Sequence, residues 1–288
     1  LSLHRLRRRP RLDYEYLSRQ TPNGLLSGWV FFFFSSDLSM WPEIPIPFGT
    51  YPGPLHTYSL LIALGVCHLL LGVDAAVRKQ KLALAESGKY LYCLGLACGG
   101  GWGFAMIVTR WLYDGQAPWG TAAAMPGLIG GAAILFVAAK VVRLPLKQHL
   151  ELTIPFVCYM HAWGRLGCFM AGCCHGAPTD SFLGVQFPAD SPACQLHGEQ
   201  PVHPTQLYEA GLLVALGLAT QFKVPPSYRI AAYLLAYGTG RFFIEILRGD
   251  DRGIIHLIPQ LSPSQQLALL FVIAGGCIAI RQFRLAKR

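Results

Sequence analysis

The sequence predicts an all-α integral membrane fold of about seven transmembrane helices, with the N-terminus outside and the C-terminus in the cytoplasm. Three observations carry this prediction. The 288 residues are 53% hydrophobic and only 14% charged, with a mean hydropathy of +0.39, whereas a soluble domain carries about a quarter charged residues. The apolar residues run in continuous stretches close to the roughly 20 residues that a helix needs to cross the hydrocarbon core. The basic residues lie in short runs between those stretches, as they do in loops at a membrane surface.

The apolar segments fall at approximately 58–77, 90–112, 124–142, 151–173, 205–222, 228–247 and 264–281. Continuous apolarity, without strict alternation, selects helix over strand. In lipid, only helices and closed barrels satisfy their own backbone groups. Dense glycines ("ACGGGWG", "GLIGGAA", "AGG") suit close helix packing. Orientation follows from charge. The runs "RKQK", "KVVRLPLKQ", "KVPPSYR" and the terminal "RQFRLAKR" fall on one side of a seven-span topology. The opposite side receives "YDGQAPWGT", a 176–204 loop without Lys or Arg, and "RGDDRG". Positive-inside placement puts the basic side in the cytoplasm. The net charge of +9 shows no aromatic-basic interleaving, so nucleic acid is not expected as a partner.

The first 39 residues differ from the rest. "LHRLRRRPRLDYEYLSRQ" is strongly basic and is followed by "GLLSGWVFFFF", an apolar run too short to span. With six arginines before residue 20 on the outward side, residues 1–39 are expected to be a spurious or removable extension. The functional domain is then residues 40–288, beginning at Met40. A weak amphipathic surface anchor is the other reading of this stretch.

Ionisable residues inside apolar spans are costly and mark sites or their supporting pairs. One group is "YGTGRFFIEILRGDDRG", where Tyr237, Arg241, Glu245 and Arg248 recur on one helix face. Arg241 and Glu245 are expected to pair, either to lock helices together or to aim the planar guanidinium at a phosphate. A second group is "VHPTQLYEAG". His203 and Pro204 precede a helix start, Thr205 is a candidate cap, and Gln206, Tyr208 and Glu209 follow in the first turns.

The third group is "GRLGCFMAGCCHG", in which His161, Arg165, Cys168, Gly172 and His175 share a face if the helix continues. The chain has nine cysteines. Cys67, Cys93, Cys98, Cys158 and Cys277 sit in apolar segments, where a thiol acts as a small hydrophobe. The odd count argues against complete disulfide pairing. Cys168, Cys173, Cys174 and His175 have the chemistry to ligate zinc, but their spacing lacks two separated ligand pairs. Filling gaps between helices is the blander reading of these thiols.

Together and in this order, the blocks resemble the bacterial phosphatidylglycerol–prolipoprotein diacylglyceryl transferase family. The resemblance rests on the "GRLG-F--G---G" frame of 164–176, "HPTQLYE" at 203–209, "YGTGRFFIEILR" at 237–248 and "GPLHTYSLLIALG" at 53–65, and it covers roughly Gly53 to Leu270. It implies transfer of a diacylglyceryl group from phosphatidylglycerol to the lipobox cysteine thiol of preprolipoproteins at the bacterial cytoplasmic (inner) membrane. The thiol becomes a thioether, glycerol-1-phosphate leaves, and no metal or organic cofactor takes part. The partners implied are phosphatidylglycerol, signal peptides carrying a lipobox cysteine, and membrane lipid. The resemblance implies catalytic roles for Arg165, Arg241, Glu245, Tyr237 and His203. Substrate binding falls to Tyr58, Arg165, Arg241, Glu151, Glu209 and Gln206, with Arg165 and Arg241 on the phosphate.

The chain departs from the family pattern at specific positions. Cys168 stands where the family has an asparagine, Ala171 at a second asparagine and Cys173 at a glutamate. The family's His-Gly-Gly-Leu block aligns best with "MPGL", which puts Met125 at a proposed base. His161 and His175 are the nearest replacement bases. Two other readings remain: an inactive lipid-binding relative, which would keep the phosphate site, and a thiol or zinc membrane protein centred on Cys168–His175. The transferase reading depends on Arg165 and Arg241, whereas the zinc reading depends on the thiols and His175.

Overall fold

Every predicted apolar segment contains a helix. The computed structural model describes residues 43–44, 55–80, 84–112, 124–250, 258 and 260–287, all within the unit Met40–Arg288. The expected extension over residues 1–39 lies outside the described residues. The helices are α1 (Thr57–Lys79), α2 (Leu84–Leu112), α3 (Ala124–Val141), α4 (Leu146–Met170), the short α5 (Pro192–His197), α6 (Thr205–Phe222), α7 (Arg229–Ile246) and α8 (Pro263–Ala286). A two-residue antiparallel pair, β1 (Glu43–Ile44) with β2 (Leu55–His56), precedes α1.

By length and composition, α1, residues Glu86–Trp111 of α2, and α8 are each long and apolar enough to cross a membrane. α4 and α7 carry the polar load instead: Lys147, Glu151 and Arg165 in one, Arg229, Arg241 and Glu245 in the other. Large apolar side chains such as Leu71, Ile107, Trp111 and Ile273 are exposed on the helix surfaces. So much exposed apolar surface marks a face made for lipid or for another protein.

α4 is the hub of the bundle. It packs against α1, α6 and α7, while α2 packs on α3 and α7 on α8. One side of α4 places Leu152 and Phe156 with Leu69, Val73 and Val77 of α1 and Tyr90 and Leu94 of α2. The next side places Ile154, Cys158 and Ala162 with Leu213 and Leu216 of α6 and Tyr237 of α7. Pro155 interrupts α4 and removes the N–H that would bond the Glu151 carbonyl. Arg229 Nη1 comes within 3.5 Å of that carbonyl and takes the donor's place.

The helix does not continue through the cysteines as far as His175. α4 ends with Ala171 as its C-cap, and Gly172 (φ +64°) and Cys174 (φ +62°) turn the chain through left-handed conformations. His175 therefore leaves the helix face expected from spacing. It is buried in the following loop, where its ring lies edge-on to His197 at 5.1 Å. The loop crosses the ends of α4, α6 and α7: Gly176 N donates to the His203 carbonyl at 2.8 Å, and Ala177 N donates to the Leu247 carbonyl at 2.8 Å. Phe187, Ala193 and Val202 give it a small core of its own.

Gly176 sits where three segments meet. A Cβ there would fall 2.5 Å from His203 Cβ and 2.7 Å from the Leu247 oxygen. Gly176→Ala is therefore expected to lower the thermal unfolding midpoint of the detergent-solubilised protein by several degrees. Gly211→Ala, where a Cβ would meet nothing within 4 Å, is expected to leave the midpoint unchanged or raise it slightly.

Candidate active site

The C-terminal third of α4, the first turns of α6 and the second half of α7 lie at one end of the bundle because these helices alternate in direction. The site residues therefore sit only a few residues from their helix ends. At about 1.5 Å per residue, Arg165 and Arg241 are each roughly 7 Å from the end of their helix.

Glu209 is at the centre, with its carboxylate almost fully buried. Oε1 accepts a hydrogen bond from Tyr237 OH at 2.8 Å and lies 3.0 Å from Arg165 Nε. Oε2 lies 3.8 Å from Arg241 Nη1. His161 Nε2 is 3.6 Å from Oε1, and its ring meets that of Tyr237 edge-on. One carboxylate thus faces cations from two other helices. The expected Arg241–Glu245 pair forms at 2.6 Å. The start of α8 completes it: Ser262 Oγ donates to Glu245 Oε1 at 2.9 Å, and Arg241 Nη2 donates to Ser264 Oγ at 3.3 Å.

Burial is nearly complete, yet hydrogen bonding is not. Arg165 Nε, Arg241 Nη1, Glu209 Oε2 and Gln206 Oε1 are all buried without a hydrogen-bond partner. Native interiors leave few such atoms unsatisfied, and a ligand commonly supplies the missing partner. Two guanidinium N–H groups in this condition, on adjacent helices, are suited to an oxyanion such as a phosphate.

The other expected residues border this cluster or lie apart from it. Thr205 does not cap α6, whose N-cap is Pro204. Its hydroxyl donates instead to the Cys174 carbonyl at 2.9 Å. Gln206, fully buried, donates to the Cys173 carbonyl at 2.7 Å. His203 Nδ1 is 3.2 Å from Tyr208 OH. The Tyr58 ring packs against Gly167, where a Cβ would come within 3.0 Å of it. Arg248 lies past the end of α7 and makes a two-pronged contact with Asp250 at 2.8 and 2.6 Å, so it does not extend the Arg241 face. Glu151 is near the start of α4, about 21 Å along the helix from Arg165, with its Oε1 3.7 Å from Lys147 Nζ. Met125 lies in the first turn of α3, a helix that packs on α2.

Sequence reasoning missed Ser262 and Ser264. The Ser262–Gln265 capping box was legible as a Ser-x-x-Gln pattern. Its second role, holding Glu245, required the fold.

The sequence profile of the family described as "Prolipoprotein diacylglyceryl transferase" matches residues 45–281. The chain belongs to this family. A Clostridium perfringens protein named phosphatidylglycerol–prolipoprotein diacylglyceryl transferase 2 is 31% identical over 249 residues, covering 78% of this chain and 89% of the relative. A Clostridium tetani transferase is 37% identical over 154 residues, 51% of this chain and 59% of its own length. One from Polynucleobacter necessarius is 30% identical over 239 residues, covering 77% and 88%. Family membership agrees with the motif resemblance read from the sequence.

Removing Glu209 would leave Arg165 and Arg241 facing each other in a buried setting. Glu209→Ala is expected to destabilise the protein by about 3–5 kcal/mol, the usual cost of orphaning a buried charge, as read from denaturation in detergent. Lys147→Ala breaks a pair whose lysine is mostly exposed and is expected to cost about 0–1 kcal/mol.

Proposed function

We propose that this protein transfers the diacylglyceryl group of phosphatidylglycerol to the lipobox cysteine thiol of preprolipoproteins, the first step of lipoprotein maturation. The observation that carries the proposal is the pair of buried guanidinium groups, Arg165 and Arg241, that share Glu209 and retain N–H groups without hydrogen-bond partners. In this reading the protein is a seven-span protein of the bacterial inner membrane, N-terminus outside and C-terminus cytoplasmic. The basic ends of α1 and α3 and the basic start of α4 support that orientation. The cluster then lies just inside the outer leaflet, at the depth of a phospholipid headgroup.

The reaction forms a carbon–sulfur bond to the glyceryl carbon as the carbon–oxygen bond to the phosphate breaks. Negative charge grows on the departing glycerol phosphate. Arg165 and Arg241 stabilise that charge, and donors fixed in advance in a dry site are worth far more than donors in water. Glu245, with Ser262 behind it, positions Arg241. Tyr58 is a hydroxyl donor for the headgroup, and Tyr237, whose hydroxyl donates to Glu209 Oε1, steadies the carboxylate between the arginines. Glu209 keeps both arginines in place before substrate arrives. His203 and Gln206 hold the outward loop, with Glu209, as the wall of the cavity. Glu151 supports the opposite end of α4 through its contacts with Lys147 and Arg229. The incoming thiol needs modest activation, since a few per cent of a free cysteine is already thiolate at neutral pH.

Arg241→Ala and Arg165→Ala are each expected to lower transfer to a lipobox peptide by about 10²–10³-fold, the range for losing one charge-stabilising donor. Diacylglyceryl-peptide formation in reconstituted vesicles measures this. A strain lacking its own transferase should be rescued by the wild-type chain and not by Arg241→Ala. Failure of the well-expressed wild type to rescue the strain or to modify peptide would overturn the proposal.

A further inference from the structure

The thiols that looked like gap-filling residues converge. The sulfur atoms of Cys168, Cys173 and Cys174 all lie within 4.8 Å of one another, and all three residues are half-buried. Among the described residues, no histidine or carboxylate joins them. Cys168 comes from the last turn of α4 and the other two from the loop that follows. Neighbouring residues in an extended chain point to opposite sides. Here the left-handed turns at Gly172 and Cys174 bring both loop sulfurs round to Cys168.

This loop is fixed in place. Cys173 N donates to the Cys168 carbonyl at 3.1 Å. The Cys173 and Cys174 carbonyls are held by Gln206 and Thr205. A left-handed conformation at a non-glycine residue is costly and persists where its surroundings enforce it.

We propose that Cys168, Cys173 and Cys174 form a three-thiolate site for one zinc-class cation, whose fourth position takes the thiol of the acceptor peptide. This deepens the transferase reading, departs from the metal-free reaction that the resemblance implies, and rests on that reading for the fourth ligand only. Zinc–sulfur bonds of about 2.3 Å in a tetrahedral site set sulfurs about 3.8 Å apart, so the cluster needs to contract by about 1 Å or less. Three thiolates and a dication carry one net negative charge, and Arg165 stands one turn of α4 before Cys168. Three protein ligands with an open fourth position is the pattern of catalytic rather than structural zinc. A thiol bound there gives up its proton outright. The balance is complete without an oxidant: the peptide thiol binds and its proton passes to water. The bound sulfur's electron pair then forms the bond to the glyceryl carbon, the carbon–oxygen bond breaks, and glycerol phosphate leaves with that pair. The cluster would thus supply the thiol activation that Met125 cannot.

The test uses the full chain in detergent, reduced and stripped of metal, titrated with Co2+ and then Zn2+. We expect one Co2+ per chain with thiolate-to-cobalt charge-transfer absorption, displaced by one equivalent of Zn2+. Cys168→Ser, Cys173→Ser and Cys174→Ser should each weaken binding by about a hundredfold or more, at least the upper loss seen for outer-shell partners. Cys194→Ser should not. If the serine variants fold poorly, zinc protection of the wild type from thiol alkylation, mapped to these three residues, gives the same answer. A lipobox peptide should shift the cobalt ligand-field bands, and its Cys→Ser version should not. No stoichiometric metal, metal binding indifferent to the substitutions, or a disulfide re-forming under reductant would overturn the site. Metal binding with no peptide response would overturn the fourth-ligand role. An intact cobalt site in a wild-type chain that transfers nothing would sink the transferase reading and leave the cation site standing.

Discussion

A carboxylate with 1% of its side-chain surface exposed is tolerable only if its surroundings replace the water it has lost. Around Glu209 that replacement comes from two neighbouring helices at once: Arg165 and His161 from α4, and Tyr237 and Arg241 from α7. The constraint is mutual for Arg165, whose carboxylate partner among the described residues is Glu209. The rotation and depth of α4, α6 and α7 relative to one another are therefore fixed by charge as well as by packing. The apolar contacts among Ile154, Cys158, Leu213 and Leu216 bring the helices together, and the ion cluster selects their register.

The outward loop follows from the same arrangement. Thr205 and Gln206 precede Glu209 by a single turn of α6, so placing Glu209 also places two donors beneath the loop carbonyls of Cys173 and Cys174. The "HPTQLYE" block is thus both a clamp on the loop and a source of the central carboxylate. Gly176 lets that loop approach His203 and Leu247 closely enough for backbone bonds to tie it to α6 and α7. On the far side, Ser262 serves twice, capping α8 and holding Glu245. The polar groups form one continuous system across the end of the bundle.

Within that system sulfur stands at Cys168 and Cys173, where the resemblance implies polar residues, beside the arginine–carboxylate cluster. Arg165 lies 3.0 Å from Glu209 and stands one turn of α4 before Cys168. The arginine–carboxylate cluster and the thiol cluster are therefore neighbours.

The sequence alone determined the helical segments, because continuous apolarity at membrane-helix length needs no partner to be recognised. It also determined the Arg241–Glu245 pair, which is local at i, i+4. The motif blocks pointed to the family. What the sequence could not decide was every contact made across helices. Glu209 was visible as a residue but not as the shared centre, since its cations lie 44 residues before it and 32 after it in the chain. Glu151 was grouped with the site by resemblance and stands at the other end of α4. His175 shared a helical face only on the assumption that α4 continued, and two left-handed residues end that assumption. The thiols looked incidental because their spacing fits no ligand pattern read along a line. Only the turn after α4, enforced by donors from α6, brings the three sulfurs together.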